Sequence, residues 1–201
     1  MPQPLQNRVT PFGDIVAAPD RGTMMGNRGG CFHDEGQRLL RRRWASRRWI
    51  CCRLSFKGRR RQVMMPRRYT ELFFLDEATA FAAGHRPCAE CRRADYNSFQ
   101  ATWRRAGLPA EAKADAMDLL LHGERLGTCA EIATPRGLPD GAMVARGEAA
   151  YLVKAGRLHR WSFQGYGAAL DDNAPLRLLT APAMVKIFAA GYAPGIHASC
   201  E

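Results

Sequence analysis

FFLDEATAFAAGHRPCAECRR, residues 73–93, is the stretch whose reading decides the fold. Residues 71–75, a glutamate followed by four apolar residues, predict a strand. Asp76 follows as a helix N-cap, because its carboxylate can accept from the free N–H groups of the first turn. The EATAFAA segment is then a short helix, and Gly84 stands where a left-handed C′ residue ends it. Pro87 stiffens the approach to Cys88-Ala-Glu-Cys91, and residues 88–105 are predicted helical, with Ala94, Phe99 and Trp103 as inward contacts. A Cys-x-x-Cys knuckle brings two sulfurs within about 4 Å, the bite that tetrahedral zinc at ~2.3 Å requires. A redox pair would need a strand running into the motif and a helix starting at it. Here a helix and a Gly-x-x-Pro stop come first, which favours metal. Arg86, Arg92 and Arg93 are expected to lower the thiol pKa values.

Upstream, the chain is strongly basic. The protein has 201 residues and a net charge of +11. The first 105 residues carry 21 basic and 9 acidic groups, whereas residues 106–201 carry 9 and 10. Between Gly36 and Thr70 there are 13 basic residues and no acidic one. Guanidinium forks match phosphate oxygens, so a phosphate-rich partner is the physical reading. Residues 49–56 alternate, with Ile50, Cys52, Leu54 and Phe56 on one face and Trp49, Cys51, Arg53 and Ser55 on the other. Residues 57–58 then turn and 61–65 return, which predicts a basic β-hairpin. Residues 38–48 are helix-compatible, and residues 21–36, with five glycines, read as a loop.

The rest of the chain is neutral. Short strands are expected at 14–18, 142–145, 150–154 and 158–163, a helix at 110–121, and a strand with a helix across 176–190. The run Phe-Ala-Ala-Gly-x-x-Pro occurs twice, at 81–87 and 188–194. It is either one helix-ending device used twice or a duplicated strand–helix unit. The reading is an α+β protein with a basic zinc-binding lobe over 1–105, a helical connector over 106–134, and a small neutral β-hairpin and helix lobe over 135–201. Hydrophobic residues make up 46% and charged residues 24%, a globular composition that excludes a disordered chain. No apolar run reaches the roughly 18–20 residues of a membrane helix, and the first residues lack an apolar signal core. The expected location is therefore cytoplasmic, with no membrane partner. Seven cysteines without an export signal argue for metal ligation rather than disulfides.

Residues 73–93 resemble the closing segment of the metal-binding domain of the Ada DNA-repair family, in which a strand, an Ala-rich helix and a Cys-x-x-Cys knuckle supply half of a four-cysteine zinc site. The resemblance implies that Cys88 and Cys91 are zinc ligands and that DNA is the partner. Members of that family remove a methyl group from a backbone phosphotriester through a zinc-bound cysteine. That family's second cysteine pair lies just upstream of the strand, but residues 59–71 contain no cysteine here, so the nucleophile has no counterpart. Two further ligands must come from elsewhere, and His33 and Cys52 rank next. Adjacent strand residues face opposite ways, so Cys51 and Cys52 cannot both contribute.

For the nucleic acid, the candidate contacts are Arg41, Arg42, Arg43, Arg47, Arg48, Arg59, Arg60, Arg61, Arg67 and Arg68, with Trp44 as a ring on which a base can stack. The function expected is zinc-supported nucleic-acid binding, in the setting of DNA repair. The alternatives are an enzyme acting on nucleic acid, as a cysteine alkyl acceptor or metal-assisted hydrolase, and a module that binds an acidic protein. No nucleophile elbow, phosphate loop or dinucleotide fingerprint occurs in the chain.

Overall fold

The computed structural model describes residues 3–59, 62–109, 111–127, 130–132, 134–171 and 175–200. Among these residues the fold is α+β, with two six-stranded sheets and four helices. The first sheet is built from β1 (Gln6–Val9), β2 (Ile15–Ala17), β3 (Met24–Arg28), β4 (Trp49–Arg53), β5 (Leu72–Phe74) and β6 (Arg86–Pro87). Their spatial order is β2-β1-β5-β3-β4-β6. Helices α1 (Glu77–Ala82), α2 (Arg93–Arg105) and α3 (Ala114–Leu126) follow or interrupt it in sequence. The second sheet contains β7 (Glu131–Ile132), β8 (Met143–Arg146), β9 (Ala149–Lys154), β10 (Arg157–Ser162), β11 (Gly165–Leu170) and β12 (Leu176–Leu178), in the order β11-β10-β9-β8-β12-β7. Helix α4 (Pro182–Ala189) closes the chain. None of the helices is long and apolar enough to cross a membrane.

Two local expectations are corrected. The basic hairpin does not form: β4 pairs antiparallel with β3 and parallel with β6, so both its edges are taken. Residues 62–65, expected to return beside it, are not a strand, and Met64 and Arg67 turn through positive φ angles of 53° and 59°. The glycine-rich segment supplies the partner instead. Gly26 is the reason it can, because a Cβ there would lie 2.2 Å from the Ile50 carbonyl oxygen of β4. The segment 38–48 is a run of bends rather than a helix, tied back by Leu40 N–H donating to Phe32 O (2.9 Å) and Ala45 N–H to Arg28 O (2.8 Å). Beyond the expected elements, β1, β7 and β11 extend the sheets. Strand β6 runs directly into Cys88 and α2 starts two residues after Cys91, so the absence of a strand at the motif, on which the preference for metal over a redox pair rests, is corrected.

The motif at 73–93 folds as its residue types dictate. Asp76 caps α1 through Thr79 N (2.8 Å), and Gly84 ends it at φ 83°. The apolar core around Phe74, Phe81, Phe99 and Trp103 draws in Met184, Ile187, Phe188 and Tyr192 from α4 and the residues after it. Phe81 and Phe188, the first residues of the repeated run, stack with centroids 5.9 Å apart. The other face of α1 meets the second sheet, where Ala78 and Ala82 pack with Met143, Leu152 and Tyr166.

One carboxylate joins these layers. Asp76 Oδ1 accepts from Thr79 N and Thr79 Oγ1 (2.7 Å), while Oδ2 accepts from Tyr166 OH (2.8 Å) and His197 N (2.9 Å). The residue is 2% exposed, so removing the carboxylate strands four donors away from water. Asp76→Ala should cost at least about 3 kcal/mol in urea unfolding, whereas a loss below about 1 kcal/mol, the value of an ordinary cap, would show the inter-sheet bonds to be dispensable.

Candidate metal centre and its basic surround

The register of β4 and β6 builds the site. In β4 the buried side chains are Trp49 and Cys51, 5% and 0% exposed, which puts Cys51 rather than Cys52 in the core. Cys52 therefore points to the other face. Cys51 lies opposite Pro87 in β6, so the next residue, Cys88, arrives beside Cys52, with its N–H donating to Cys51 O (2.9 Å). The turn that follows closes through Arg92 N–H to Cys88 O (3.1 Å) and Glu90 N–H to Cys88 Sγ (3.4 Å), bringing Cys91 back. The sulfur atoms of Cys52, Cys88 and Cys91 lie within 4.8 Å of one another. Sulfurs bound tetrahedrally to zinc sit about 3.8 Å apart, so little contraction is needed for three thiolates to hold one ion.

The electrostatics suit a cation. The Cys52 and Cys91 thiols donate to Cys88 Sγ, which pulls the Cys88 pKa down to about 2. The hydrogen bond to Cys88 correspondingly pushes the Cys52 thiol up. Three sulfurs sharing protons around one ionised centre can exchange those protons for a metal. The flanking arginines have other work. Arg86 forms a buried, two-pronged pair with Asp118 (2.8 and 2.7 Å), Arg92 pairs with Glu77 (2.6 Å) and Asp95 (2.8 Å), and Arg93 is exposed. The ionised sulfur is thus held by its neighbouring thiols, not by the arginines that the sequence places next to it.

His33 does not join the cluster. Its ring bonds Thr70 Oγ1 (2.7 Å) and the Met65 carbonyl (3.2 Å), with Cys31 Sγ 3.7 Å away, and Thr70 also accepts from Phe32 N (2.9 Å). It ties the 31–39 loop to the segment before β5. Cys31 stays with it, and Cys200 is buried in the second sheet's core. Arg60, Arg61 and Cys129 lie outside the described residues.

Around the sulfurs arginines and carboxylates are mixed, with Glu71, Glu90, Asp115 and Asp118 among the lining residues. A cavity of about 590 Å³ opens onto all three, lined also by Arg53, Phe56, Arg59, Tyr69 and Phe73. A second, of about 910 Å³, reaches from Cys88 to Arg47 and Arg48, and Tyr69, Ile50 and Glu90 border both. Arg41, Arg42, Arg47, Arg48, Arg59, Arg67 and Arg68 are exposed. Two of them are paired with acids, Arg48 with Asp115 (3.1 Å) and Arg59 with Glu90 (2.7 Å). Arg43 is half-buried, and Trp44 packs against Trp49 and His122 with centroids 5.9 Å from each. Tyr69, 49% exposed beside the cysteines, is the freer ring. Its place follows from the residues after Pro66 folding back toward β4, which no local pattern encodes.

Models of known protein families, characterised proteins and solved structures were compared with the chain, and none matches.

Cobalt(II) titrated into the reduced protein should give thiolate-to-metal absorption that Cys52→Ser, Cys88→Ser and Cys91→Ser each weaken and His33→Ala leaves in place. Loss of the band in His33→Ala with retention in Cys52→Ser would assign the third ligand the other way.

Proposed function

We propose that the protein binds nucleic acid, DNA in the first instance, on a basic surface supported by zinc at Cys52, Cys88 and Cys91. The observation that carries this reading is the juxtaposition: three sulfurs within 4.8 Å of one another open onto cavities bordered by arginines and an exposed tyrosine. Zinc suits the donor set because it takes thiolates in tetrahedral geometry and needs no redox change. Arginines alongside a ring let guanidinium groups hold phosphates while the ring stacks a base. The resemblance of residues 73–93 to the Ada metal-binding domain supports the same ligand class.

A second reading, metal-assisted hydrolysis of nucleic acid, is favoured by the ligand count. Among the described residues three cysteines face one another rather than four, and a three-ligand zinc keeps a position for water. In that reading Cys52, Cys88 and Cys91 hold the ion, and the exposed arginines position the phosphate.

Affinity for an oligonucleotide should fall with salt at a slope near −4 to −5 in log K against log salt, if about six arginines meet phosphates. Replacing Arg41, Arg42 and Arg43 by Ser should flatten the slope by up to about two to three units and weaken all sequences alike. Zinc should copurify at about one equivalent, and its removal by chelator should lower the affinity. A protein free of metal, or a slope unmoved by the triple substitution, would overturn this reading. Cleavage of the oligonucleotide that needs the metal would select the second.

A further inference from the structure

Arginines that pack inward among the described residues follow two patterns, Arg28, Arg86 and Arg92 being buried and Arg125 half-buried. Arg86 and Arg92 each meet a carboxylate, Asp118 at 2.7 Å and Glu77 at 2.6 Å. Arg28 and Arg125 meet none among the described residues. Arg28 is 2% exposed, lies opposite Trp49 in the β3–β4 ladder, and has its Cζ 4.0 Å from the Trp49 ring centroid. Its hydrogen bond is Nη2 to Gly13 O (2.8 Å). Arg125, from α3, places its Cζ 4.2 Å from the same ring. It donates through Nη1 to Arg47 O (3.3 Å) and through Nη2 to Gly84 O, with His122 Nδ1 3.3 Å from Nη1. All of these partners are neutral acceptors.

The unsatisfied atoms gather at the same place. Among the described residues four buried side-chain polar atoms lack a partner, and three belong to groups packed on Trp49: Arg28 Nε, Arg125 Nε and His85 Nε2. Burial and mutual repulsion lower the pKa of Arg28 to about 9, and burial does the same to Arg125. Two guanidinium groups held this way are costly unless an anion joins them. Both line a cavity of about 450 Å³ that Trp44 and Trp49 also border and that reaches the first residues of α4. This is the size of a small-molecule site. Nearby acids offset this only in part: Glu124 accepts from Ala183 N (3.0 Å) at the start of α4, Asp14 is exposed and acts on Arg28 without an ion pair, and Asp118, which acts on Arg125, is already paired with Arg86.

We propose that this cavity is a binding site for a phosphate monoester, whose phosphate lies between Arg28 and Arg125 with the indole wall of Trp44 and Trp49 beside its organic part. Both guanidinium groups line the cavity and supply the charge-assisted N–H donors that such an oxyanion takes. A free nucleotide and the 5′-phosphorylated end of a strand present the same chemistry, and the site is separate from the cysteine cluster, so it stands whether or not the metal reading does.

The probes are 5′-AMP, adenosine, and one short oligonucleotide with and without a 5′-phosphate. Tryptophan fluorescence of the intact protein should change saturably with 5′-AMP and not with adenosine. At a hundred times its Kd, 5′-AMP should raise Tm by about 5–10 °C. Arg125→Met should weaken the binding at least tenfold while the unliganded variant still unfolds in one cooperative transition. Saturation by the phosphorylated oligonucleotide alone would name the strand end as the source. An equal response to adenosine, an unaltered Kd in Arg125→Met, or no saturable response to any phosphate at roughly 10 mM would overturn the proposal. Because fluorescence and the adenosine control use wild type alone, the outcome does not depend on the variant folding.

Discussion

The parallel pairing of β4 with β6 is the constraint on which the rest depends. Ile50 lies opposite Arg86 and Cys51 opposite Pro87. That register delivers Cys88 beside Cys52 and carries Arg86 into the interior, where Asp118 of α3 neutralises it (2.7 Å). A slip of one residue would exchange the two faces of β4, sending Trp49 and Cys51 to the outside. The sulfur cluster, the buried ion pair and the indole that receives Arg28 and Arg125 would all be lost together.

The two faces of β4 also separate two kinds of electrostatic environment. On the Cys52 face, sulfurs and exposed arginines meet water, so charge is cheap and a polyanion can be gathered by long-range attraction. On the Trp49 face Arg28 is buried and Arg125 half-buried, so hydrogen bonds there compete less with water. The division follows from strand alternation, since neighbouring residues of one strand cannot serve the same face.

The 73–93 segment was legible in the sequence because each of its signals acts locally. Asp76 meets an N–H three residues on, and Gly84 supplies a backbone angle that side chains resist. Cys88 and Cys91 approach because the turn between them is short. Cys52 was legible as a candidate ligand, but its alternation with Ile50, Leu54 and Phe56 marked it more readily as a small residue of the core face, and the structure buries Trp49 and Cys51 instead. His33 shows the limit of such reasoning. It sits in a basic, glycine-rich stretch and has the right chemistry for a ligand, yet Thr70 and Met65, more than thirty residues away, take its ring.

By itself the sequence determined an α+β chain with a Cys-x-x-Cys knuckle after a capped helix and a charge excess confined to its first half. These are matters of composition, periodicity and short spacing, all set by interactions within a few residues. Only the tertiary structure decided that part of the glycine-rich run is strand β3, that Cys52 completes the sulfur cluster, and that Arg28 and Arg125 share one indole with no ion pair to a carboxylate among the described residues. Strand partners are chosen by which edges are free and which side chains fit beneath them, and a glycine such as Gly26 matters only once Ile50 approaches it. Pairings across such distances leave no periodic trace in the chain, because the residues that meet are fixed by the packing of the whole and not by their neighbours.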